Sequence, residues 1–304
     1  MNKYYLPYLG LACLAVMSLV ACKDKSFDSR TENMNKGTIT IYAESEYRVL
    51  VEELIQSYEN VYPESDIQPV FASDAEVMQA LLQDKTRMAF LGHGLTENQM
   101  KAMEKMQEIE PEQFLIGREA IAIIASYDYP DSVFYFDAFL QGNSGDAGST
   151  TFTPQYVFNA ENSNMITQLL GGNLVHDGMF SLANADTVIG YVARNPKAVG
   201  FISFAAISDF DDPAVKEMLG KVQVLQVAHR DSTGKEIVTP LSQSTIATRE
   251  YPFQRYVTVV KGNTPELLGT GFVNFLYRSK ASRIMLKAGL VPEKMPERQV
   301  KIVE

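Results

Sequence analysis

The segment TRMAFLGHGLT, residues 86–96, is the most informative part of this sequence for the fold. Residues 87–91 form a short apolar run that predicts a β-strand. A glycine-flanked turn follows, and then Thr96 and Gln99 have the spacing of a helical capping box. Methionines recur at helical spacing after Gln99. The segment therefore predicts a strand, a turn and a helix in direct succession.

The same order of elements occurs twice before this segment. Residues 38–43 alternate apolar and polar side chains and predict a strand, and residues 49–61 place their apolar side chains on one helical face. A second strand is expected at residues 67–71, before a helix that begins near Ser73. Strand–helix units repeated three times predict a parallel sheet covered by helices on both faces.

The remaining sequence predicts a second α/β lobe. The apolar run AIAIIA, residues 120–125, predicts a fully buried strand that leads into this lobe. Further strands are expected at residues 155–158, 199–203, 222–227 and 256–260, and helices at residues 135–141, 163–170, 186–193, 267–277 and 281–288. Residues 143–153 predict a loop and residues 230–234 a turn. The expected fold class is α/β with two lobes, each a mostly parallel sheet flanked by helices.

Length and composition indicate a globular protein with more than one domain. The chain has 304 residues, of which 46% are hydrophobic and 21% charged, as in ordinary globular proteins. The part after position 22, about 280 residues, exceeds what one compact core usually organises. The net charge of −10 and the lack of a basic stripe argue against nucleic acid as a partner. An acidic chain can still bind an anion, because capture depends on the local field of a cleft.

Residues 1–22 predict an export signal. Lys3 precedes an almost unbroken apolar run that ends in LVAC, residues 19–22, and the chain then turns polar. This is the pattern of a secretory signal peptide, which is too short and too poorly flanked for a stable membrane span. The LVAC ending resembles a bacterial lipobox, which would make Cys22 the lipidated residue, carrying palmitate. The alternative is an ordinary N-terminal anchor helix.

The cysteine count agrees with a lipoprotein. The second cysteine, Cys13, lies inside the signal, so the mature chain would keep neither a disulfide nor a cysteine-based metal site. Residues 23–36 are polar and lack periodicity, and they predict a tether with a reach of roughly 20 Å. We therefore expect a protein of the cell envelope, lipid-anchored to a membrane and facing the periplasm or the exterior.

From residue 37 onward, the chain resembles the phosphate-binding branch of the type II periplasmic-binding-protein superfamily. The resemblance rests on the first strand with Glu44-Ser45, on TRMAFLGHGLT, on VFNAENSN at 157–164, on NPKAVGFIS at 195–203 and on GTGFVNFLYRSKASRIMLKAGLVP at 269–292. It implies lobe one at residues 37–122 plus 240–304, lobe two at residues 123–239, and two hinge strands between them. It also implies a monomer without a cofactor, whose lobes close on phosphate and whose closed form is recognised by an ABC permease in the membrane.

The resemblance also indicates where a ligand would bind. Ligands of open α/β sheets bind at the carboxyl ends of strands, where helix N-termini present free N–H groups. The loops at those ends carry the candidate ligand-binding residues Ser45, Ser73, Thr96, Asn162 and Ser163. Taken singly, each hydroxyl residue is better explained as a helix N-cap, and it is their presence in loops of both lobes that favours a ligand site.

Two arginines are further candidates for the ligand site. The family commonly has an aspartate near position 87, and Arg87 would instead donate a two-pronged hydrogen bond to an oxyanion. A surface arginine at the start of an edge strand is the alternative. Arg118 precedes the expected crossover strand and is a second candidate for reaching the cleft, whereas Arg249 and Arg255 are weaker candidates.

Some positions depart from the pattern of phosphate binders. Glu46 and Glu161 place negative charge in loops where phosphate favours hydroxyl groups and bare backbone N–H groups. The lobe-two loop lacks the Arg-x-x-Gly-Ser-Gly-Thr arrangement of better-known phosphate binders and has Asn159, Asn162 and Ser163 instead. Other oxyanions and small polar solutes therefore stay open as ligands.

An enzyme is not expected. His93, His176 and His229 are scattered and none has metal-ligand spacing, and His93 is interpreted as a solvated loop residue. The sequence has neither a nucleophile elbow nor a phosphate-binding loop ending in Lys-Ser/Thr. The remaining alternative is an envelope binding or signalling lipoprotein with the same fold and a different small ligand or none.

Overall fold

The computed structural model describes residues 32–108, 110–140, 154–160, 166, 179–209, 211–262 and 267–296. The strands are β1 Gly37–Glu44, β2 Ser65–Ala72, β3 Met88–Leu91, β4 Pro111–Ser126, β5 Val133–Tyr135, β6 Gln155–Asn159, β7 Phe180–Leu182, β8 Ala198–Ser203, β9 Val222–Val224, β10 Gln226–Arg230, β11 Glu236–Thr239, β12 Gln254–Gly262 and β13 Val291–Pro292. The α-helices are α1 Arg48–Glu59, α2 Asp74–Leu82, α3 Glu97–Gln107, α4 Phe136–Leu140, α5 Ala185–Arg194, α6 Pro213–Leu219, α7 Gln243–Ala247, α8 Leu268–Leu276 and α9 Ser279–Lys287. Short 3₁₀ helices occupy Ser45–Tyr47 and Phe204–Ile207.

The main sheet runs through both lobes in the order β2-β1-β3-β12-β4-β8-β6-β7, with β9 and β13 also paired to β4. In lobe one, β1 is parallel to β2 and β3, as the repeated strand–helix units predict. In lobe two, β6 is parallel to β7 and β8. The long strands β12 and β4 run antiparallel to their neighbours, because the chain crosses between the lobes on them. Each lobe therefore has a mixed sheet, less parallel than the sequence predicts.

Strand β4 belongs to both lobes. Its first half pairs with β12, from Pro111 to Ala120, and its second half pairs with β8 from Ile121 onward. The run AIAIIA forms that second half and is fully buried, as predicted. With 16 residues, β4 is about 50 Å long. It is the crossover strand that the sequence indicates.

Two main hydrophobic cores lie on this sheet. In lobe one, α1 presents Leu54 and Tyr58 to α8, where Tyr58 makes an edge-on contact with Phe272 at 5.2 Å between ring centroids. In lobe two, aromatic rings including Phe134 and Phe201 pack around β4, with 5.7 Å between their centroids. Aromatic pairs of this geometry add to the stability from area burial. The aromatic residues of lobe two thus serve the core.

Most predicted elements are present, but one predicted strand is divided into two in the structure. The run at 222–227 forms two strands, β9 and β10, because the backbone N–H of Leu225 donates to Ile123 on β4 while β10 joins a second, three-stranded sheet with β11 and β5. The helix predicted at 163–170 and the loop at 143–153 lie outside the described residues, apart from Ile166. Over the ranges that the structure describes, no helix combines the length and apolar character of a membrane span.

Candidate functional site

A cavity of about 350 Å³ lies between the two lobes. Its walls come from the loop after β1 and the end of α9 in lobe one, and from the ends of β6 and β8 in lobe two. Its polar lining includes Glu46, Glu53, Asn159, Ser203, Ser208, Asp209, Asp212 and Lys287. The cavity is therefore at the carboxyl ends of β1, β6 and β8, where open α/β sheets bind ligands.

A buried ionic cluster adjoins this cavity and shares Glu46, Tyr47 and Ser203 with its lining. Arg255 on β12 donates from Nε to Glu119 on β4 and from Nη2 to Glu46 in the 3₁₀ helix after β1. The hydroxyl of Tyr47 donates to Glu119 Oε1 at 3.3 Å, and Ser203 at the end of β8 donates to Glu119 Oε2 at 3.3 Å. Because Ser203 belongs to lobe two, the cluster connects both lobes at the crossover strand.

The cluster contains more carboxyl groups than cations. Glu44, Glu46 and Glu119 are all buried beside the one guanidinium of Arg255. Burial raises the pKa of Glu46 to about 8, and it also raises the pKa of Glu44 and of Glu119. At neutral pH, Glu46 is therefore mainly protonated and donates a hydrogen bond to Glu44.

Glycine at position 92 permits the close packing of this cluster. The backbone N–H of Gly92 donates to Glu44 Oε1 at 2.6 Å. A β-carbon at this position would lie 2.8 Å from the Tyr47 hydroxyl and 3.0 Å from Nη1 of Arg255. Only glycine fits between β3 and these side chains without displacing them.

A second polar cluster joins the carboxyl ends of β1, β2 and β3. His93, just after β3, places Nε2 at 2.6 Å from Asp74 Oδ1 at the start of α2, and its Nδ1 lies 2.9 Å from the carbonyl oxygen of Gly94. The hydrogen bond to Asp74 raises the pKa of His93 to about 9. The side chain is 18% exposed, so His93 is a partly buried residue of the loop whose two ring nitrogens are held by hydrogen bonds.

A family model described as a PBP superfamily domain matches residues 28–280 of this chain. This match covers most of the sequence and includes both lobes. The chain belongs to the PBP superfamily. No curated protein matches the sequence.

Solved structures agree with a PBP fold. An ABC-type phosphate transport receptor from Vibrio cholerae matches with a TM-score of 0.65 and 16% identity, over 84% of this chain and 100% of the receptor. A putative phosphate ABC transporter substrate-binding protein from Clostridium perfringens, with bound phosphate, matches with a TM-score of 0.62 and 14% identity, over 85% and 100%. The regulatory domain of MetR, a LysR family regulator from N. meningitidis, matches with a TM-score of 0.54 and 12% identity, over 84% and 98%. These likenesses establish the two-lobed fold that the sequence predicts.

In this PBP-superfamily chain, the predicted hydroxyl residues that the structure describes do not line the cavity. Ser45 donates to the carbonyl oxygen of Ala72 at 3.2 Å and so joins the ends of β1 and β2. Ser73 and Thr96 are N-caps of α2 and α3 with complete capping boxes. Asn162 and Ser163, like Cys22, lie outside the described residues, and their roles stay predictions.

The two predicted arginines do not face the cavity. Arg87 precedes β3 and is at the amino end of the parallel strands, where its Nε lies 3.8 Å from Asp84 Oδ1. Arg118 is adjacent to Glu119 on β4. Because neighbouring strand residues point to opposite faces of the sheet, the side chain of Arg118 points away from the ionic cluster. Neither arginine therefore lines the interlobe cavity, and a role for them in ligand binding stays a prediction.

The sequence makes Arg255 only a weak candidate and does not single out Glu119. Their only signal is local: a charged residue stands within or beside an apolar strand run, in RYVTVV and in EAIAIIA. A charged residue is seldom fully buried unless it is paired. Two such residues in different runs indicate a buried ion pair, although the sequence does not reveal that they are opposite each other.

Proposed function

We propose that this protein is an exported lipoprotein that captures a small oxyanion, phosphate in the first place, and delivers it to an ABC permease. The main support for this proposal is the interlobe cleft. A cavity of about 350 Å³ lies between the lobes, at the carboxyl ends of strands, in a PBP-superfamily chain. The neighbours from V. cholerae and C. perfringens, which are described as phosphate transport proteins, support the choice of ligand.

Closure of the lobes is the proposed mechanism. An anion between the lobes would contact Asn159 and Ser203 from lobe two and the loop after β1 from lobe one, which line the same cavity. A ligand that contacts both walls binds the closed form better than the open form and shifts the population toward it. A permease then distinguishes loaded from empty protein by the relative position of the lobes.

The charge of the cavity favours oxyanions that carry a proton. Glu53, Asp209 and Asp212 line it as carboxylates, together with the mainly protonated Glu46 and one lysine, Lys287. A carboxylate accepts a hydrogen bond from the O–H of phosphate or arsenate, whereas fully ionised sulfate has no hydrogen to donate. We therefore expect phosphate and arsenate to bind in preference to sulfate.

The anchoring rests on the sequence of residues 1–22. A signal peptide that ends in a lipobox would export the chain and attach it to a membrane of the envelope through Cys22. This location would place the binding protein beside a permease. Superfamily membership supports a binding role over catalysis.

Calorimetric titration tests the choice of ligand. The full chain, purified in detergent and stripped of bound ligand, would be titrated with phosphate, arsenate and sulfate. Saturable phosphate binding that Asn159→Ala weakens at least about tenfold, a loss of about 1.4 kcal/mol, is the expected result. The exposed Asn60→Ala serves as the matched control and should bind like the parent. No phosphate binding by a folded parent protein would overturn the proposal.

The acidic cavity wall favours a second candidate function. An envelope binding or signalling lipoprotein would use the same cleft for a polar or cationic solute, and four carboxyl groups against one lysine suit such a ligand. In that case the calorimetric titration with phosphate gives no heat of binding. A screen of amines and small polar solutes gives saturable binding instead.

A further inference from the structure

We propose that Glu44, Asp74 and His93 form a binding site for a divalent transition-metal ion, with Zn²⁺ as the best match. This site is separate from the residues that line the interlobe cavity. The proposal goes beyond oxyanion capture and depends neither on the anion nor on the permease.

The fold brings the three side chains together from three adjacent strands. Glu44 is the last residue of β1, Asp74 follows β2, and His93 follows β3. Because these strands are parallel and lie in the order β2-β1-β3, their carboxyl ends meet at one edge of the sheet. One ligand atom from each side chain lies within 4.8 Å of the other two. Ligand atoms around tetrahedral zinc are about 3.3 Å apart, so small side-chain adjustments suffice.

The orientation of His93 is that of a metal ligand. Its Nδ1 lies 2.9 Å from the carbonyl oxygen of Gly94, and this hydrogen bond directs Nε2 toward Asp74. Histidines that bind metals usually donate their other ring N–H to a carbonyl or a carboxylate, which fixes the tautomer and the ring. Both ring nitrogens of His93 face oxygen acceptors. The space between Nε2 and Asp74 is therefore occupied by a cation, which is either a proton or a metal ion.

Burial and backbone contacts hold the other two ligands in place. Glu44 is 5% exposed, and one of its oxygens accepts from the N–H of Gly92. Asp74 begins helix α2, and its side chain is 19% exposed, so solvent can reach the site. The buried carboxylate of Glu44, held by Gly92, pre-organises the site, and the solvent-accessible Asp74 gives the ion an entry path.

The donor set indicates the kind of metal. One imidazole nitrogen and two carboxylate oxygens suit zinc, and the carboxylates also suit manganese. Two carboxylates balance the charge of a divalent ion. Three protein ligands leave a fourth position for water, as in zinc sites that are open to solvent.

Cobalt(II) and zinc are the probes for this site. The full chain without an affinity tag, purified in detergent and treated with EDTA, would be titrated with Co²⁺ in phosphate-free buffer while its visible absorption is recorded, and then with Zn²⁺ in competition. One equivalent of Co²⁺ should give tetrahedral-type absorption bands, which zinc removes. His93→Gln and Asp74→Asn should each weaken binding by at least about tenfold.

His229→Gln is the matched control, because His229 lies on β10 with Thr239 Oγ1 as its neighbour, away from the proposed ligands. This variant should bind cobalt like the parent. Circular dichroism establishes that each variant is folded, and Asp74→Asn keeps the test valid if His93→Gln does not fold. Absence of Co²⁺ and Zn²⁺ binding by the parent, or unchanged binding by folded His93→Gln and Asp74→Asn, would overturn the metal site. Because this titration contains no phosphate, its result is independent of the oxyanion experiment.

Discussion

Arg255 lies directly opposite Glu119 in the β12–β4 ladder, and its guanidinium donates to the buried Glu119 carboxylate. Two residues later, at Ile121, β4 begins to pair with β8 of lobe two. The ion pair is therefore at the position where the chain passes from one lobe to the other. Any rotation of the lobes about these strands takes place next to it.

Removal of the positive charge from this pair should destabilise the protein severely. Arg255→Met keeps the length of the side chain but leaves Glu119 buried without its cation, at an expected cost of about 3–5 kcal/mol in the free energy of unfolding. Urea denaturation measures this change. Arg283→Met, at an exposed position on α9, should change stability by less than about 0.5 kcal/mol. Equal stability of the two variants would show that the ion pair contributes little.

A methyl group at position 92 should also be destabilising. In Gly92→Ala, the added carbon would lie 2.8 Å from the Tyr47 hydroxyl, and the resulting shifts should cost about 1–3 kcal/mol. Gly190→Ala is the matched control, because its added carbon would meet only the end of Arg194 at 3.8 Å. Since Gly190 is inside helix α5, this control should gain up to about 1 kcal/mol. Thermal unfolding of both variants would reveal opposite shifts of the midpoint.

The buried carboxyl groups should make the folded state less stable as the pH rises. Burial raises the pKa of Glu46 from 4.5 to about 8, so between these values the folded protein holds a proton at this position that the unfolded chain has released. The free energy of unfolding should therefore fall from about pH 5 to about pH 8. The raised pKa values of Glu44 and Glu119 act in the same direction. The stabilisation that comes from the protonated form of these carboxyl groups is fully present at low pH and is lost as the pH rises.

Glu46→Gln tests the origin of this pH dependence. Glutamine is neutral at every pH and can still donate a hydrogen bond to Glu44. Urea midpoints of the variant should change less between about pH 5 and pH 8 than those of the parent. Equal slopes for the two proteins would assign the dependence to other groups.

A buried tyrosine supports the crossover through its hydroxyl group. Tyr251 is almost fully buried and donates to the carbonyl oxygen of Ile121 at 2.8 Å. Tyr251→Phe leaves that carbonyl without this donor, at an expected cost of about 1–3 kcal/mol. Tyr127 makes a similar bond to Leu219 but is 62% exposed, so Tyr127→Phe should cost much less. Comparison of the two variants by urea denaturation separates the effect of burial from that of the hydroxyl.

The elements of the fold were predictable because each depends on local sequence. The capping box at Thr96 and the alternation in β1 report the conformation of nearby residues only, and the structure confirms both. The break at Leu225 was not predictable, because a contact with Ile123 on a distant part of the chain produces it. Alternation alone does not show that a run of residues is shared between two sheets.

The candidate site was predictable to a smaller extent. The loops at the carboxyl ends of β1 and β2 were expected, since parallel strands place them at one edge of the sheet. Arg87 enters β3 rather than leaves it, so it does not line the interlobe cavity. The pairing of Glu119 with Arg255 depends on the register of two strands that are far apart in sequence. No local pattern specifies such a register.

Strand β4 gives Ile116 to the core of lobe one and Ile121 and Ile123 to the core of lobe two. Unfolding of either lobe would expose apolar surface along a strand that the other lobe still needs. The two lobes have separate cores but should melt as one cooperative unit, with equal calorimetric and van't Hoff enthalpies. In the proposed closure, the hinge would bend during ligand capture while the two lobes stay a single folding unit.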